Sequence, residues 1–249
     1  MNGDFLDLLQ RDAFPVLRDL DRVAAQIEGT TVFAFQCADG VLVAGDHRAT
    51  SGNLIFSDRT EKILEIDRYS VMAIAGSPAV AFEMARTLQT AFEFYRRSQL
   101  QAMSLLAKTR AISRLLKENL PAALQGVGMV APIFVGLEPG SDDARPTIYY
   151  YDPLGANFEA ANFAGSGSGS GSIKSVLHYS ETWGDPKPSE LPLQEAVNFA
   201  NRLLMTAAEF DSATGGVEPG KMQFGTIKLL SGEGVRTILD EEQAEFWSS

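Results

Sequence analysis

Gly29-Thr30-Thr31-Val32-Phe33-Ala34-Phe35 is the stretch on which the reading of this chain turns. Val32, Phe33 and Phe35 are good strand formers, so a strand is expected from Thr31. A strand that opens on two threonines straight after a glycine has two explanations. In the first, Gly29 ends a helix and the threonines begin an ordinary strand. In the second, Gly29–Thr30 is a cleavage point, and Thr30 becomes a new N-terminus carrying a hydroxyl nucleophile beside a free amine. Short motifs match by chance, so the choice rests on the rest of the chain.

Upstream, residues 1–29 carry Phe5, Leu6, Leu8, Leu9, Phe14, Leu17, Leu20 and Val23 among charges, an amphipathic and largely helical pattern broken at Pro15. It reads either as a core helix or as a leader that is later removed. Downstream, residues 31–37, a turn at Asp39-Gly40 and residues 41–45 read as a hairpin. Ile63 to Ile66 and Ser70 to Ala75 suggest a second strand pair. Pro78 opens a long helix to about Ser98, with proline at the first turn where it is tolerated. A second helix runs from about Met103 to Leu124, with Pro121 able to kink it. Strands are expected over 130–137, 147–151 and 157–162, then a helix to about Tyr179 and another from Pro192 to Phe210. Phe224 to Leu230 and Val235 to Leu239 close the chain as strands. Strands, two helices, strands, two helices and strands make an α/β (α+β) chain with two stacked antiparallel sheets and helix pairs on the outer faces.

Composition narrows the function. At 249 residues the chain can bury about 70–75% of its unfolded surface. Its apolar fraction of 45% and charged fraction of 21% are those of an ordinary globular protein. A net charge of −11 argues against nucleic-acid and anionic-membrane partners, which need a basic footprint. The single cysteine, Cys37, excludes an internal disulfide and reads as buried packing. His47 and His178 are the only histidines, too few for a standard zinc site, and no metal or cofactor is expected. No run is long enough to span a bilayer. The start lacks a basic segment, and Asp7, Arg11 and Asp12 interrupt any apolar one, so a cytoplasmic protein without a signal peptide is expected.

Gly165 to Ser172 alternate glycine and serine. This is not a phosphate loop, because Ile173 rather than glycine precedes Lys174-Ser175. Nor is it a GxSxG elbow, since every glycine is odd-numbered and every serine even-numbered. A tight turn presenting N–H groups and small hydroxyls at a helix start remains. A nucleophilic threonine also needs a base. His47 adjoins Asp46, but neighbours on a strand point to opposite faces, which disfavours a Ser-His-Asp triad. A threonine, lysine and aspartate with a free α-amine need no histidine. The amine's reference pKa near 8 suits neutral pH better than lysine's, about 10.4, which burial and a nearby cation would lower.

Thr30-Thr31-Val32, Gly45-Asp46-His47-Arg48-Ala49-Thr50, Glu61-Lys62, Ala75-Gly76, Gly167-Ser168-Gly169-Ser170 and Asp211-Ser212-Ala213-Thr214-Gly215-Gly216 occur in that order. Together they resemble the β-type subunits of the proteasome, most closely the bacterial, actinobacterial-like branch, over residues 30 to about 240. The spacing from Thr30 to Asp46 and Lys62 matches that family without a gap.

The resemblance implies an N-terminal nucleophile hydrolase with a four-layer αββα sandwich. Residues 1–29 would be a propeptide removed by self-cleavage, and 30–249 the catalytic domain. By the same resemblance Thr30 is the nucleophile, Lys62 assists proton transfer and pairs with Asp46, and Ser168, Asp211 and Thr214 hold the new N-terminus. The family commonly has serine at the last of these positions; Thr214 retains the hydroxyl. Gly76 resembles the oxyanion donor, and Thr50, Gly76 and Ala79 the positions that pair with extended substrate. Ala49, Thr60, Leu64 and Ile74 resemble the lining of the pocket before the scissile bond, which predicts a preference for apolar residues there. Arg48 reads as a structural donor. Partners implied are other β subunits in seven-membered rings, α-type ring subunits, an ATP-dependent unfoldase and unfolded polypeptide substrates. Three rivals stand beside this reading. The smaller ATPase-dependent relative lacks the Asp211–Gly216 block, a scaffolding subunit would have lost Thr30, Asp46 or Lys62, and a small-molecule amidohydrolase would share the fold.

Overall fold

The computed structural model describes residues 29–51, 54–125, 128–140 and 145–248. The expected leader helix, and so all of the 1–29 segment except Gly29, lies outside the described residues.

Strand β1 (Thr31–Cys37) is buried along nearly its whole length and is an interior strand of its sheet, second from the edge. Its side chains alternate as a strand requires. Val32 and Ala34 enter one apolar cluster with Val43, Ile63, Ala73 and Val135. Phe33 and Phe35 enter another with Ile173, Leu177, Ala200 and Leu204. β2 (Gly40–Gly45) returns antiparallel, with Cys37 opposite Gly40, so the turn residues are Ala38 and Asp39, one position earlier than expected. β10 (Phe163–Gly167), β11 (Thr226–Ser231) and β12 (Gly234–Ile238) complete a five-stranded sheet in the order β10-β1-β2-β11-β12.

The second sheet is also five-stranded and antiparallel, in the order β5-β6-β7-β8-β9. It comprises β5 (Ile63–Asp67), β6 (Ser70–Ala73), β7 (Ile133–Gly136), β8 (Thr147–Tyr151) and β9 (Asn157–Ala160). Between the sheets lies the cluster that contains Val32 and Ala34. Helices α1 (Pro78–Gln99) and α2 (Leu105–Leu124) cover the outer face of this second sheet. Ala81, Met84, Ala85, Leu88 and Phe92 recur on one face of α1 and pack with Met72, Phe134 and Tyr151. Pro121 lies inside α2 near its end. On the other side, α3 (Ser170–Trp183) and α4 (Leu193–Phe210) pack against the first sheet. Four layers result, helices–sheet–sheet–helices, as expected.

Three further features differ from expectation. A short hairpin, β3 (Ala49–Ser51) and β4 (Leu54–Ser57), stands apart from both sheets. The segment after the last strand forms helix α5 (Asp240–Ser248), whose first turn is acidic, as the helix dipole favours. The glycine–serine run does more than open a helix: Gly165 to Gly167 are the end of β10, pairing with Phe33 to Thr31, and α3 starts at Ser170. Among the described residues no helix is long and apolar enough to cross a membrane.

Candidate active site

Register brings the first charges together. The β1–β2 ladder ends with Val32 opposite Gly45, so the next residue, Asp46, lies beside Thr31. Asp46 Oδ1 accepts from the Thr31 amide at 3.0 Å and from Lys62 Nζ at 2.7 Å. Its other oxygen, Oδ2, accepts from the amides of Arg48 at 2.9 Å and Gly215 at 2.8 Å. Lys62 comes from the residue before β5, across the sandwich, and both side chains are buried, at 2% and 0% exposure. Besides Asp46, Nζ donates to the carbonyl of Arg48 and, at 3.4 Å, to the carbonyl of Gly29. All three ammonium protons are therefore engaged. Burial pushes the Lys62 pKa down, and this outweighs the upward pull of the Asp46 carboxylate.

A second group joins the first through hydroxyls. Asp211 follows the last residue of α4, and its Oδ2 accepts from Ser168 Oγ and Thr214 Oγ1, each at 2.6 Å. Oδ1 accepts from the Ala213 amide at 3.1 Å. Burial pushes the Asp211 carboxyl up, but the bonds from Ser168, Thr214 and Ala213 outweigh it and hold its pKa below the usual range. Since Thr214 donates to Asp211, its oxygen accepts from Thr31 Oγ1, 2.6 Å away. Thr31 Oγ1 in turn accepts from the Gly169 amide at 3.0 Å. The Thr31 hydroxyl is thus the fully bonded middle of a chain. Thr30, 7% exposed, is held through its backbone: its carbonyl accepts from the Ser168 amide at 3.0 Å. That approach needs Gly167, at φ +92°, where an added Cβ would lie 1.7 Å from the Thr30 oxygen.

The proteasome subunit family matches residues 27–218, a span that holds both groups. The chain belongs to that family. It is similar to proteasome subunit beta 2 of Thermomonospora curvata, with 35% identity over 258 residues covering 99% of this chain and 87% of the relative. The proteasome subunit beta of Acidimicrobium ferrooxidans is 34% identical, covering 97% of this chain and 86% of the relative. That of Streptomyces griseus is 32% identical, covering 97% and 84%.

The remaining positions singled out in this proteasome-family sequence lie on several elements. Gly76 bridges Val130 through flanking bonds, Ala131 N to the Ala75 carbonyl and Ser77 N to the Met129 carbonyl, so that bridge leaves Gly76's own N–H unused. Thr50 and Ala49 lie on β3, and Ala79 is exposed in the first turn of α1. Thr60 donates its amide to the His47 carbonyl at 3.0 Å, and Ile74 donates its amide to the Lys62 carbonyl at 2.9 Å. Ile74 is buried, and with Leu64 it joins the cluster beneath α1. A surface groove of about 790 Å³, lined by Asp67, Gln89, Thr90 and Phe94 among others, lies between β5 and α1 and includes none of these residues.

Arg48 is a structural donor, and a larger one than its sequence suggested. Its Nη1 donates to the carbonyls of Ser212 at 3.2 Å and Thr214 at 3.4 Å, and Nε pairs with Asp58 at 2.9 Å. It therefore joins the loop that carries Asp211 and Thr214 to the strand end that carries Asp46. Sequence reasoning missed the bonded role of the Thr31 hydroxyl and the amides of Gly169 and Gly215. Only the side chain of Thr31 could have signalled its part; a backbone N–H has no residue-type signature.

Proposed function

We propose that this chain is a threonine endopeptidase subunit of a proteasome core particle, made active by its own cleavage at Gly29–Thr30. The observation that carries the reading is the position of Lys62 Nζ, bonded to Asp46 and 3.4 Å from the Gly29 carbonyl oxygen. A buried amine with a lowered pKa beside the scissile carbonyl is suited to proton transfer. In the first step Thr30 Oγ1 adds to the Gly29 carbonyl carbon and its proton passes to the neutral Lys62 amine. The C–N bond then breaks, Lys62 returns the proton to the Thr30 nitrogen, and Gly29 is left as an ester on Oγ1. Water hydrolyses that ester, which releases the leader as a Gly29 carboxylate and restores the hydroxyl. With substrate, the freed α-amine of Thr30 takes the hydroxyl proton and passes it to the leaving amine. The Gly76 N–H stabilises the oxyanion, a contribution on the order of 100- to 1000-fold per donor in comparable sites.

Thr30 is favoured over Thr31 because the Thr31 hydroxyl is committed to Thr214 and Gly169. We assign Asp46, Ser168, Asp211 and Thr214 to hold Lys62 and the new terminus. Ala49, Thr60, Leu64 and Ile74 form an apolar pocket for the residue before the cut. The working unit is then a seven-membered ring stacked against its like and capped by α-type subunits, with unfolded polypeptide delivered by an ATP-dependent unfoldase.

Intact mass of the purified assembled protein, beside a Thr30→Ala variant, tests the reading. Wild type should lose residues 1–29 and gain peptidase activity, with faster cleavage of peptides after Leu or Tyr than after Arg or Glu. The variant should keep the leader and stay inactive. A leader retained in both within assembled particles defeats the mechanism; faster cleavage after Arg or Glu defeats only the pocket assignment.

A further inference from the structure

Gly29 has φ +102°, a conformation open to glycine and rarely adopted by other residues. It is also walled in. A carbon added at its Cβ position would lie 2.0 Å from Thr50 Oγ1, and its next neighbours, Thr50 Cβ and Thr50 N, would each be 3.1 Å away. The three nearest atoms therefore all belong to one residue on β3. The ladder between β3 and β4 shifts register between Ala49 and Thr50, and such irregularities beside functional sites re-aim a side chain. Thr50 Oγ1 is buried with no hydrogen-bond partner, whereas the hydroxyls of Thr31, Thr214 and Ser168 are all bonded. A buried hydroxyl that bonds nothing adds no hold of its own, so what Thr50 presents to Gly29 is bulk, which the isosteric valine would supply equally.

We propose that the Thr50 side chain is a steric gauge that restricts the residue before the self-cleavage point to glycine. This rests on the reading that the chain cuts itself at Gly29–Thr30, and it deepens that reading by naming the residue that sets its specificity. The left-handed turn at Gly29 aims any side chain at β3. An extended substrate has negative φ throughout and aims its side chain differently, so the wall does not act on it. One nucleophile thereby serves two specificities, glycine within its own chain and a larger apolar residue in a bound peptide.

The experiment follows leader removal over time by intact mass, with and without Gly29→Ala, in three backgrounds: wild type, Thr50→Ala and Thr50→Val. The quantity read is the slowing that Gly29→Ala causes within each background. In the wild type we expect about 100-fold or more, close to 3 kcal/mol of barrier. In Thr50→Ala, where the wall is cut back, that slowing should shrink by about tenfold or more, with the left-handed backbone accounting for the remainder. In Thr50→Val, which keeps the branch and removes the hydroxyl, it should stay as in the wild type. Equal slowing in the wild-type and Thr50→Ala backgrounds overturns the gauge, and so does relief by valine as large as by alanine. Should Thr50→Ala not assemble, Thr50→Ser carries the test, because loss of the methyl branch frees its rotamer; at least about threefold relief is expected, and none overturns the proposal. Failure of wild type itself to be cut at Gly29–Thr30 refutes the self-cleavage reading instead.

Discussion

Asp46→Asn isolates what the centre depends on. Each carboxylate oxygen of Asp46 faces two donors, Thr31 N and Lys62 Nζ on one side, Arg48 N and Gly215 N on the other. An amide replaces one acceptor oxygen by a donor group, so one side must fail. If the NH₂ faces Arg48 and Gly215, two buried amides lose their acceptor, at about 1–3 kcal/mol each. If it faces Lys62, the ammonium and the Thr31 amide meet a donor in a site with 2% exposure, and breaking such a buried pair typically costs about 3–5 kcal/mol; the counter-charge itself is lost either way. The two ranges, about 2–6 and about 3–5 kcal/mol, overlap at about 3–5 kcal/mol. For a domain of this size that corresponds to a fall in Tm of about 6–20 °C. The comparison should be made in a Thr30→Ala background, so that both proteins keep the leader, with unfolding followed by the fluorescence of Trp183 and Trp247. With Thr30 restored, Asp46→Asn should also slow leader removal by about 100-fold or more. A Tm within about 2 °C of the parent would refute the assignment of four donors to this one carboxylate.

Other outcomes follow from the same geometry. Thr31→Val leaves Thr214 Oγ1 and the Gly169 amide each short of a partner, so a loss of about 2–4 kcal/mol is expected in urea unfolding, while Thr31→Ser stays within about 1 kcal/mol. Leader removal should accelerate as pH rises through the lowered pKa of Lys62, because the neutral amine is the active form, and level off above it; a rate that falls over that range contradicts the assignment. Lys62→Arg holds its proton across the whole range, so the rising limb should vanish and the leader should remain.

Much of this was legible in the sequence. Period-two alternation in Val32-Phe33-Ala34-Phe35 and the recurrence of Ala81, Met84, Ala85, Leu88 and Phe92 on one helical face follow directly from which faces are buried. The β3–β4 hairpin was not legible. Its strands are only three and four residues long, and Ile55 and Phe56 on it are 55% and 83% exposed, so burial imposes no pattern there. Helix α5 escaped for a related reason. Its buried residue is the polar Gln243, which donates to the carbonyls of Gly225 and Ile238 and accepts from Asn201. The helix's apolar contacts, from Ala244, Phe246 and Trp247, are only partly buried and fall within nine residues, too short a run to show a helical period. The glycine–serine run has the composition of a linker, yet three of its eight residues are strand, because their pairing is set by the Thr31–Phe33 backbone and not by their own side chains. At the candidate site the charged residues were visible one by one, while the amides that orient them were not.

The strand order has one more consequence. β1 is hydrogen-bonded along both of its edges, to β10 and to β2. Chain ends ordinarily fray. An end created at Thr30 would instead emerge from an interior strand, stitched on both sides from its first residues onward. Under the proposed self-cleavage, severing the chain there would leave Thr30 aligned by that pairing, with the entropy of placing it already spent in folding. The uncut chain would then act as a jig, holding a terminus in its working position before that terminus exists.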